Sequence, residues 1–389
     1  MPKAIGSVTL IGVVLMAWFC AARAHGAYPP IPEKMPPAEG KAFAALKAIG
    51  VECSCDEEGH VAEAIFPSVE VPRDALSHLK ALPQLKVLSL NWGDAGFLRP
   101  LRDLRQLQSV MFGQSITLTD EGLAAIRGLT RLTDLSIEKS SITDRGLSNL
   151  AGLSQLTFLR LNAAEVSDAG LEQLGGLRRL THVEMNGTRI AGPGLVHLKQ
   201  NAKMEWLELR NTALTDEGLA HLAGMSRLEY LDLRTTKVTS LAPLRGMERL
   251  RFLDAGKTGI TDEGLRALRD APCRETLRIL RLDGTRITDQ GLRGLAGFAW
   301  LEELDLSSTS ITDAGLMELT KINDPPRIDA RHTRVTAKGA AKFWRHTLAW
   351  PWIDRPDPEK QKQQQKEADM RPFDPFAPVP ARPAKRELK

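Results

Sequence analysis

The chain has 389 residues, with 52 Lys and Arg against 48 Asp and Glu, a formal charge of +4. That balance, without any basic patch interleaved with aromatics, excludes the usual footprint of a nucleic-acid partner. Hydrophobic residues make up 42%, enough for a core, whereas aromatics are only 5%, so any cluster of them carries information.

Lys3 precedes the apolar run "IGSVTLIGVVLMAWFCAA", and Ala22 and Ala24 offer the small residues a signal peptidase reads. Residues 1–24 are therefore expected to be a secretory signal, which would place the mature chain in the periplasm or outside the cell. The competing reading is an uncleaved N-terminal membrane anchor, since the run is barely long enough to span a bilayer. Cys20 follows Trp18 and Phe19, where a lipoprotein signal requires small residues. No later segment is long and apolar enough to cross a membrane.

Residues 25–38 are Pro-rich and read as a linker. Residues 39–60 read as an N-terminal cap: a short helix over 39–49, then two strands joined by a polar turn ending in Gly59. The mature chain would keep Cys53, Cys55 and Cys273, an odd number that argues against a disulfide framework. Cys53 and Cys55 share a strand face, but even with His60 they lack a fourth ligand and the spacing of a metal site.

From Val61 a pattern L-x-x-L-x-L recurs, starting at Leu85, Leu107, Leu132, Leu156, Leu180, Met204, Leu228, Leu250, Leu277 and Leu301 and ending in an imperfect copy at Pro325. About twelve units therefore occupy residues 61–345, most of them 24 residues long. L-x-L alternates with period two, so each unit opens on a strand with its leucines inward. A hexapeptide follows: "LTDEGL" at 118–123 and 214–219, "ITDRGL" at 142–147, "ITDEGL" at 260–265, "ITDQGL" at 287–292 and "ITDAGL" at 311–316. In "ITDEGL", Thr261 is placed to cap a helix and Asp262 and Glu263 favour its positive end. Ile260 and Leu265 have the spacing of a hydrophobic staple, and Gly264 lets the turn approach its neighbour. The hexapeptide is thus a strand-to-helix corner, repeated because the scaffold repeats.

The consensus LxxLxLxxTxITDxGLxxLxxLxx resembles the leucine-rich repeat, in particular its cysteine-containing subclass, known from F-box adaptors and similar to repeats of exported bacterial proteins. The resemblance implies an α/β solenoid: a right-handed horseshoe with a concave parallel sheet and convex helices. One departure is that Thr188, Thr212, Thr236, Thr258, Thr285, Thr309 and Thr333 stand where the family has Asn or Cys, with Ser115 and Ser140 in earlier units. A hydroxyl there can still bond backbone, so this column is read as a structural ladder. No F-box precedes the repeats, and a secretory signal is incompatible with such an adaptor.

Two units are irregular. "VTSLAPL" at 238–244 holds Pro243 in a short unit, and the unit from Leu250 carries the insertion "DAPCRETL". Both changes fall after the helix start, towards the convex side. At the end of the array, Phe343, Trp344, Trp350 and Trp352 are expected to close the last core. Residues 346–389 are read as the remnant of that cap followed by a disordered Pro- and Gln-rich tail.

No GxSxG, HExxH, GxxxxGK[ST] or CxxC pattern occurs. We therefore expect no enzyme and no catalytic, cofactor or metal site. The x positions of x-L-x-L-x face away from the leucines, so the fold leaves them free for binding. The first column reads Phe158, His182, Trp206, Tyr230, Phe252 and Ile279, a stripe about 25 Å long at the strand spacing of a sheet. The second reads Arg160, Glu184, Glu208, Asp232, Asp254 and Arg281, an acidic run with basic ends, and the third contains Arg210 and Arg234. Glu208 is expected to pair with Arg210, and Asp232 with Arg234, on the same strands. An aromatic stripe beside a charged rim is the composition of a protein-binding hot spot. The sequence reading is a non-catalytic module holding a protein or peptide on its concave face. Phe158, His182, Trp206, Tyr230 and Phe252 would be anchors; Glu184, Glu208, Asp232, Asp254, Arg210 and Arg234 would set orientation. A structural role in the cell envelope and carbohydrate binding by the stripe are the alternatives.

Overall fold

The computed structural model describes residues 35–353 apart from 95, 117, 323 and 350. The expected signal, most of the linker, Trp350 and the tail beyond residue 353 lie outside the described residues. One 13-stranded sheet runs the length of the array, its strands in sequence order. Strand β1 (Glu52–Cys55) pairs antiparallel with β2 (Val61–Ile65). Parallel pairing then continues through β3 (Val87–Leu90), β4 (Ser109–Phe112), β5 (Asp134–Ile137), β6 (Phe158–Leu161) and β7 (His182–Glu184). It goes on through β8 (Trp206–Glu208), β9 (Tyr230–Asp232), β10 (Phe252–Asp254), β11 (Ile279–Arg281), β12 (Glu303–Asp305) and β13 (Arg327–Asp329). Each connection returns through a short α- or 3₁₀-helix, and the leucines between sheet and helices are fully buried. A parallel sheet covered on one face by helices, one unit after another, is a solenoid.

The turns leaving β6 to β13 are built the same way. The residue three before the Leu, Ile or Val that opens the corner is left-handed: Ala163, Asn211, Thr235, Lys257, Ser308 and His332 have φ of 51–58°, and Gly187 and Gly284 take the same place. The following threonine donates to the carbonyl three residues back, from Thr188 to Met185 (2.8 Å) through Thr333 to Ala330 (2.6 Å). The expected hydroxyl ladder is therefore present over the threonines. It fails at Ser140, whose buried hydroxyl has no partner, because the chain there enters a two-residue strand paired with Leu118–Thr119.

The hexapeptide is more than a capped corner. Thr261 does cap the helix Asp262–Arg266, accepting from Gly264 N, and Ile260 and Leu265 are buried. Asp262, however, reaches into the next unit, where it accepts from Thr288 N (2.8 Å) and Thr288 Oγ1 (2.6 Å). Asp120, Asp144, Asp289 and Asp313 make the same two bonds to Thr143, Ser167, Thr312 and Thr336. The glycine three positions after each capping residue makes room for the aspartate of the preceding unit: a Cβ on Gly291 would sit 2.5 Å from Asp262 Oδ1, and one on Gly339 would overlap the Asp313 carboxylate. Aspartate, threonine and glycine thus form one interlock between successive units, and the helix dipole is a secondary reason for the aspartate.

The interlock lapses where the sequence is irregular. In the short unit Ser240 and Ala242 replace the aspartate and glycine, and the following Gly264 packs directly against the Thr239 carbonyl. The insertion in the next unit forms the 3₁₀ turn Pro272–Glu275, with Cys273 buried. Sheet register is untouched: Tyr230 faces Phe252 and Phe252 faces Ile279. Both irregularities are absorbed away from the sheet.

At the N-terminal end, helix α1 (Pro37–Ala48) buries Phe43 and Leu46 against the array. Its buried Glu39 accepts from Val61 N (2.6 Å) and pairs with His60 Nδ1 (2.8 Å), so His60 is committed to the cap and not to the cysteines. At the other end, helix α2 (Ala337–Thr347) buries Phe343 but leaves Trp344 44% exposed. Trp344 was expected in the core; it faces outward instead. Trp352 extends the sheet by one bridge, exchanging backbone bonds of 2.8 Å with Ile328 and Ala330 beside β13.

Candidate protein-interaction face

The strand register brings the first column into one line. Phe158, His182, Trp206, Tyr230 and Phe252 are mutual neighbours on successive strands. They do not stand apart as separate anchors. Trp206 and Tyr230 stack with centroids 3.5 Å apart and planes at 3°, and Tyr230 and Phe252 stack at 4.1 Å and 4°. His182 lies 6.0 Å from Trp206, and Phe158 lies 6.2 Å from His182, more tilted. Phe252 is fully buried by this arrangement, and the others are half-buried. Burial pushes the His182 pKa down to about 4, so its ring is neutral at physiological pH and packs as an aromatic. Burial, reinforced by Glu208 and Asp232, pushes the Tyr230 hydroxyl up, so it stays protonated.

The carboxylates of the second column are buried beside the stack, Glu184, Asp232 and Asp254 nearly completely. At the N-terminal end of the row Arg160 forks onto Glu184 through Nε (2.5 Å) and Nη2 (2.8 Å), and reaches Glu138 with Nη1 (2.7 Å). Burial opposes the charge on Arg160, but Glu184 and Glu138 outweigh it and raise its pKa. At the other end Arg281 reaches Glu303 (3.1 Å) and Asp254 (3.9 Å).

The expected same-strand pairs do not form. Glu208 accepts from Trp206 Nε1 (2.9 Å) and Asn186 Nδ2 (2.6 Å), not from Arg210, which points to solvent. Arg234 gives Asp232 only its backbone amide (2.8 Å); its guanidinium goes to Asp283 (3.1 Å) and Asp254 (3.8 Å) on the next two strands. The reason is distance. Neighbouring strands are about 4.8 Å apart, whereas residues two apart on one strand are about 6.6 Å apart. Burial raises the pKa of Glu208, with the Glu184 charge adding to it. Burial lifts Asp232 to about 7, the Arg234 amide opposing and Asp254 and Glu208 adding. Asp254 is also raised by burial, offset by the Gly256 amide and the two arginines.

Arg160, Arg281 and Asp283 belong to the same constellation but were not among the residues singled out from sequence. Their columns were legible, and the basic ends of the acidic run were the signal.

Residues 275–296 and 299–319 match the sequence profile of the family described as Leucine Rich repeat. A leucine-rich-repeat protein of Leptospira interrogans is similar in structure with a TM-score of 0.52 and 15% identity, over 75% of this chain and 82% of that one. The leucine-rich-repeat ectodomain of the membrane receptor kinase GASSHO1/SCHENGEN3 from Arabidopsis thaliana, solved with CASPARIAN STRIP INTEGRITY FACTOR 2, has a TM-score of 0.50 and 16% identity. That match covers 78% of this chain and 43% of the ectodomain, so this chain spans less than half of it. An internalin of Listeria monocytogenes is 20% identical with a TM-score of 0.47, over 77% of this chain and 98% of that one. A search of curated protein sequences gave no match. The fold is the leucine-rich-repeat solenoid with a concave parallel sheet, and two stretches of the chain match the profile of that family. This fold commonly serves protein or peptide binding. No helix among the described residues is long and apolar enough to cross a membrane.

Proposed function

We propose that this protein is a non-catalytic recognition module of the exported bacterial type, acting in the periplasm or outside the cell after removal of residues 1–24. It holds a protein or peptide on the concave face. The observation that carries the reading is the aromatic stack from Phe158 to Phe252 lying beside a row of carboxylates and arginines, on positions that the fold does not require to be either. Aromatic and arginine-rich centres are where protein interfaces concentrate their binding energy. The plant receptor ectodomain of the same fold, solved with its named factor, supports the reading by analogy alone. Stacking of sugars is disfavoured, because Trp206 and Tyr230 cover each other's ring faces.

The test is capture of a partner by residues 25–352 from extracytoplasmic extract, identified by mass spectrometry. The Trp206→Ala, Tyr230→Ala double variant should lose the partner while keeping the circular dichroism of the parent. Unchanged capture by a folded double variant removes the concave face from the proposal.

A further inference from the structure

We propose that one lateral rim of the solenoid docks on a membrane surface carrying anionic phospholipids, without crossing it. This is independent of the concave-face reading above.

The rim is the row of loops that lead from each helix back into the sheet. Backbone amides of Thr157, Thr181, Glu205, Glu229 and Arg251 each donate to the carbonyl of the preceding unit, which fixes the register of these loops. Two residues before that ladder stand Arg131, Gln155, Arg179, Lys203, Arg227 and Arg249. The five cations are all exposed. At about 4.8 Å between strands the row is about 24 Å long. Among the described residues, none of the five has a carboxylate oxygen within 4.0 Å; Arg179 donates to the Gln155 side-chain oxygen. By contrast, Arg189 takes Glu165 (3.1 Å), Arg251 takes Glu229 (3.7 Å) and Arg278 takes Glu302 (3.6 Å). Glu205 and Glu229, two residues on from the row, are only half-buried but point no oxygen at it within that distance. Glu248 is the one acid immediately before the row, against Arg178.

Helix capping does not account for the row. A helix dipole favours cations only within its last turn. Arg179, Lys203 and Arg227 stand beyond helices that end at Leu174, Leu198 and Ala220. The charge is also one-sided. The opposite rim carries the acids of the hexapeptides, among them the exposed Glu121, Glu217 and Glu263, interspersed with Lys237, Lys257 and Arg286. A total charge of +4 therefore conceals an asymmetry that would orient the molecule in the field of an anionic surface.

A second observation selects a membrane over a free acidic polymer. The same ladder continues through Arg278 and Glu302, so the column continues through Thr276 to Trp300, which is 38% exposed. A tryptophan in line with a row of arginines and lysines is the composition of a membrane interface, where the indole sits at headgroup level and the cations meet lipid phosphates. A nucleic-acid strand would call for aromatics along the row to stack its bases. Trp300 is the one aromatic in this column from Arg131 to Trp300. The strands start at this rim and run away from it, so docking leaves the concave face and its stack open to the side.

The experiment is co-sedimentation of the chain from residue 25 to its end with vesicles of phosphatidylcholine, alone or mixed with phosphatidylglycerol. The protein should sediment with the mixed vesicles and not with the neutral ones, and added salt should release it. The Lys203→Gln, Arg227→Gln, Arg249→Gln variant should bind about a hundredfold more weakly, at about fivefold for each cation near an anionic surface. The Lys237→Gln, Lys257→Gln, Arg286→Gln variant removes the same charge from the opposite rim and should bind as the parent does. Trp300→Ser should weaken vesicle binding while leaving retention on immobilised dextran sulfate unchanged. Circular dichroism of each variant separates loss of binding from loss of fold. Absence of a preference for phosphatidylglycerol, or equal losses in the two triple variants, overturns the inference. So does a Trp300→Ser protein that sediments like the parent while dextran sulfate strips both from the vesicles, which would make the rim a site for an acidic polymer. Capture of the concave-face partner should be the same for both triple variants, so this inference and the concave-face reading fail separately.

Discussion

The indole of Trp206 lies flat on the phenol ring of Tyr230, centroids 3.5 Å apart and planes 3° from parallel, each carried by its own strand in direct register. The stack is therefore part of what aligns adjacent units, besides being a surface. Replacing each ring with Leu, singly and together, should give a coupling of about 1 kcal/mol in a double-mutant cycle read by urea unfolding. Strictly additive effects would mean that the rings are neighbours without mutual stabilisation.

The aspartate–glycine interlock makes a sharper claim. A methyl at Gly339 would displace the Asp313 carboxylate, which otherwise holds Thr336 through two bonds of 2.7 Å. Gly339→Ala should therefore destabilise the C-terminal unit by about 1–3 kcal/mol, the cost of unmaking such bonds. In an Asp313→Ala background the same change should be neutral or slightly stabilising, since alanine is the better helix former. Hydrogen exchange across residues 311–347 localises the effect, which matters because repeat arrays can unfold unit by unit. A Gly339→Ala cost that persists without Asp313 contradicts the interlock.

The sequence carried this fold further than it carried the site, and particular residues say why. A period fixes phase, so the leucine register alone brings Phe158, His182, Trp206, Tyr230 and Phe252 into line, as observed. Partnerships across the face depend on lateral spacing, which a linear reading underweights. Arg234 was assigned to Asp232 on its own strand and instead spans to Asp254 and Asp283. Arg331 shows the converse: just past the last full strand it does pair with Asp329 two residues back, where, among the described residues, no further strand of the array offers a carboxylate. The aspartate of the hexapeptide was legible as a helix-end charge, but its partner lies one unit on, in a contact that only stacking creates.

The repeated turn stores a cost at Thr235. Its φ is 57°, a left-handed conformation that β-branched residues avoid, and the side chain is exposed. Asn occupies the equivalent place at Asn211 with the same φ. Thr235→Asn should raise stability by about 1 kcal/mol, measured as a shift in the urea midpoint, because asparagine adopts this region at lower cost. A lower midpoint would show that the threonine has an interaction which compensates its backbone.

Asp232 sets a pH dependence whose sign follows from its burial. Its folded pKa, about 7, is raised above the ordinary 3.8, so between those values the folded state holds a proton that the unfolded state has released. Stability from this group is greatest below 3.8, declines as pH rises through the window, and reaches its full deficit above about 7. The groups facing it are Glu208 and Arg210 from the preceding strand, Asp254 from the following one, and Arg234 on its own; Glu208 and Asp254 push its pKa up and Arg210 pulls it down. Asp232→Asn keeps an acceptor for the Arg234 amide but removes the charge. The variant should match the parent in acid and exceed it above neutrality by about 2 kcal/mol, less than the whole shift implies because residual water screens the carboxylate. Urea unfolding of both proteins in parallel across the window reads the gap directly. A gap that does not change with pH would mean that Asp232 ionises normally in the folded chain, and that the burial of the row is not felt by its charge.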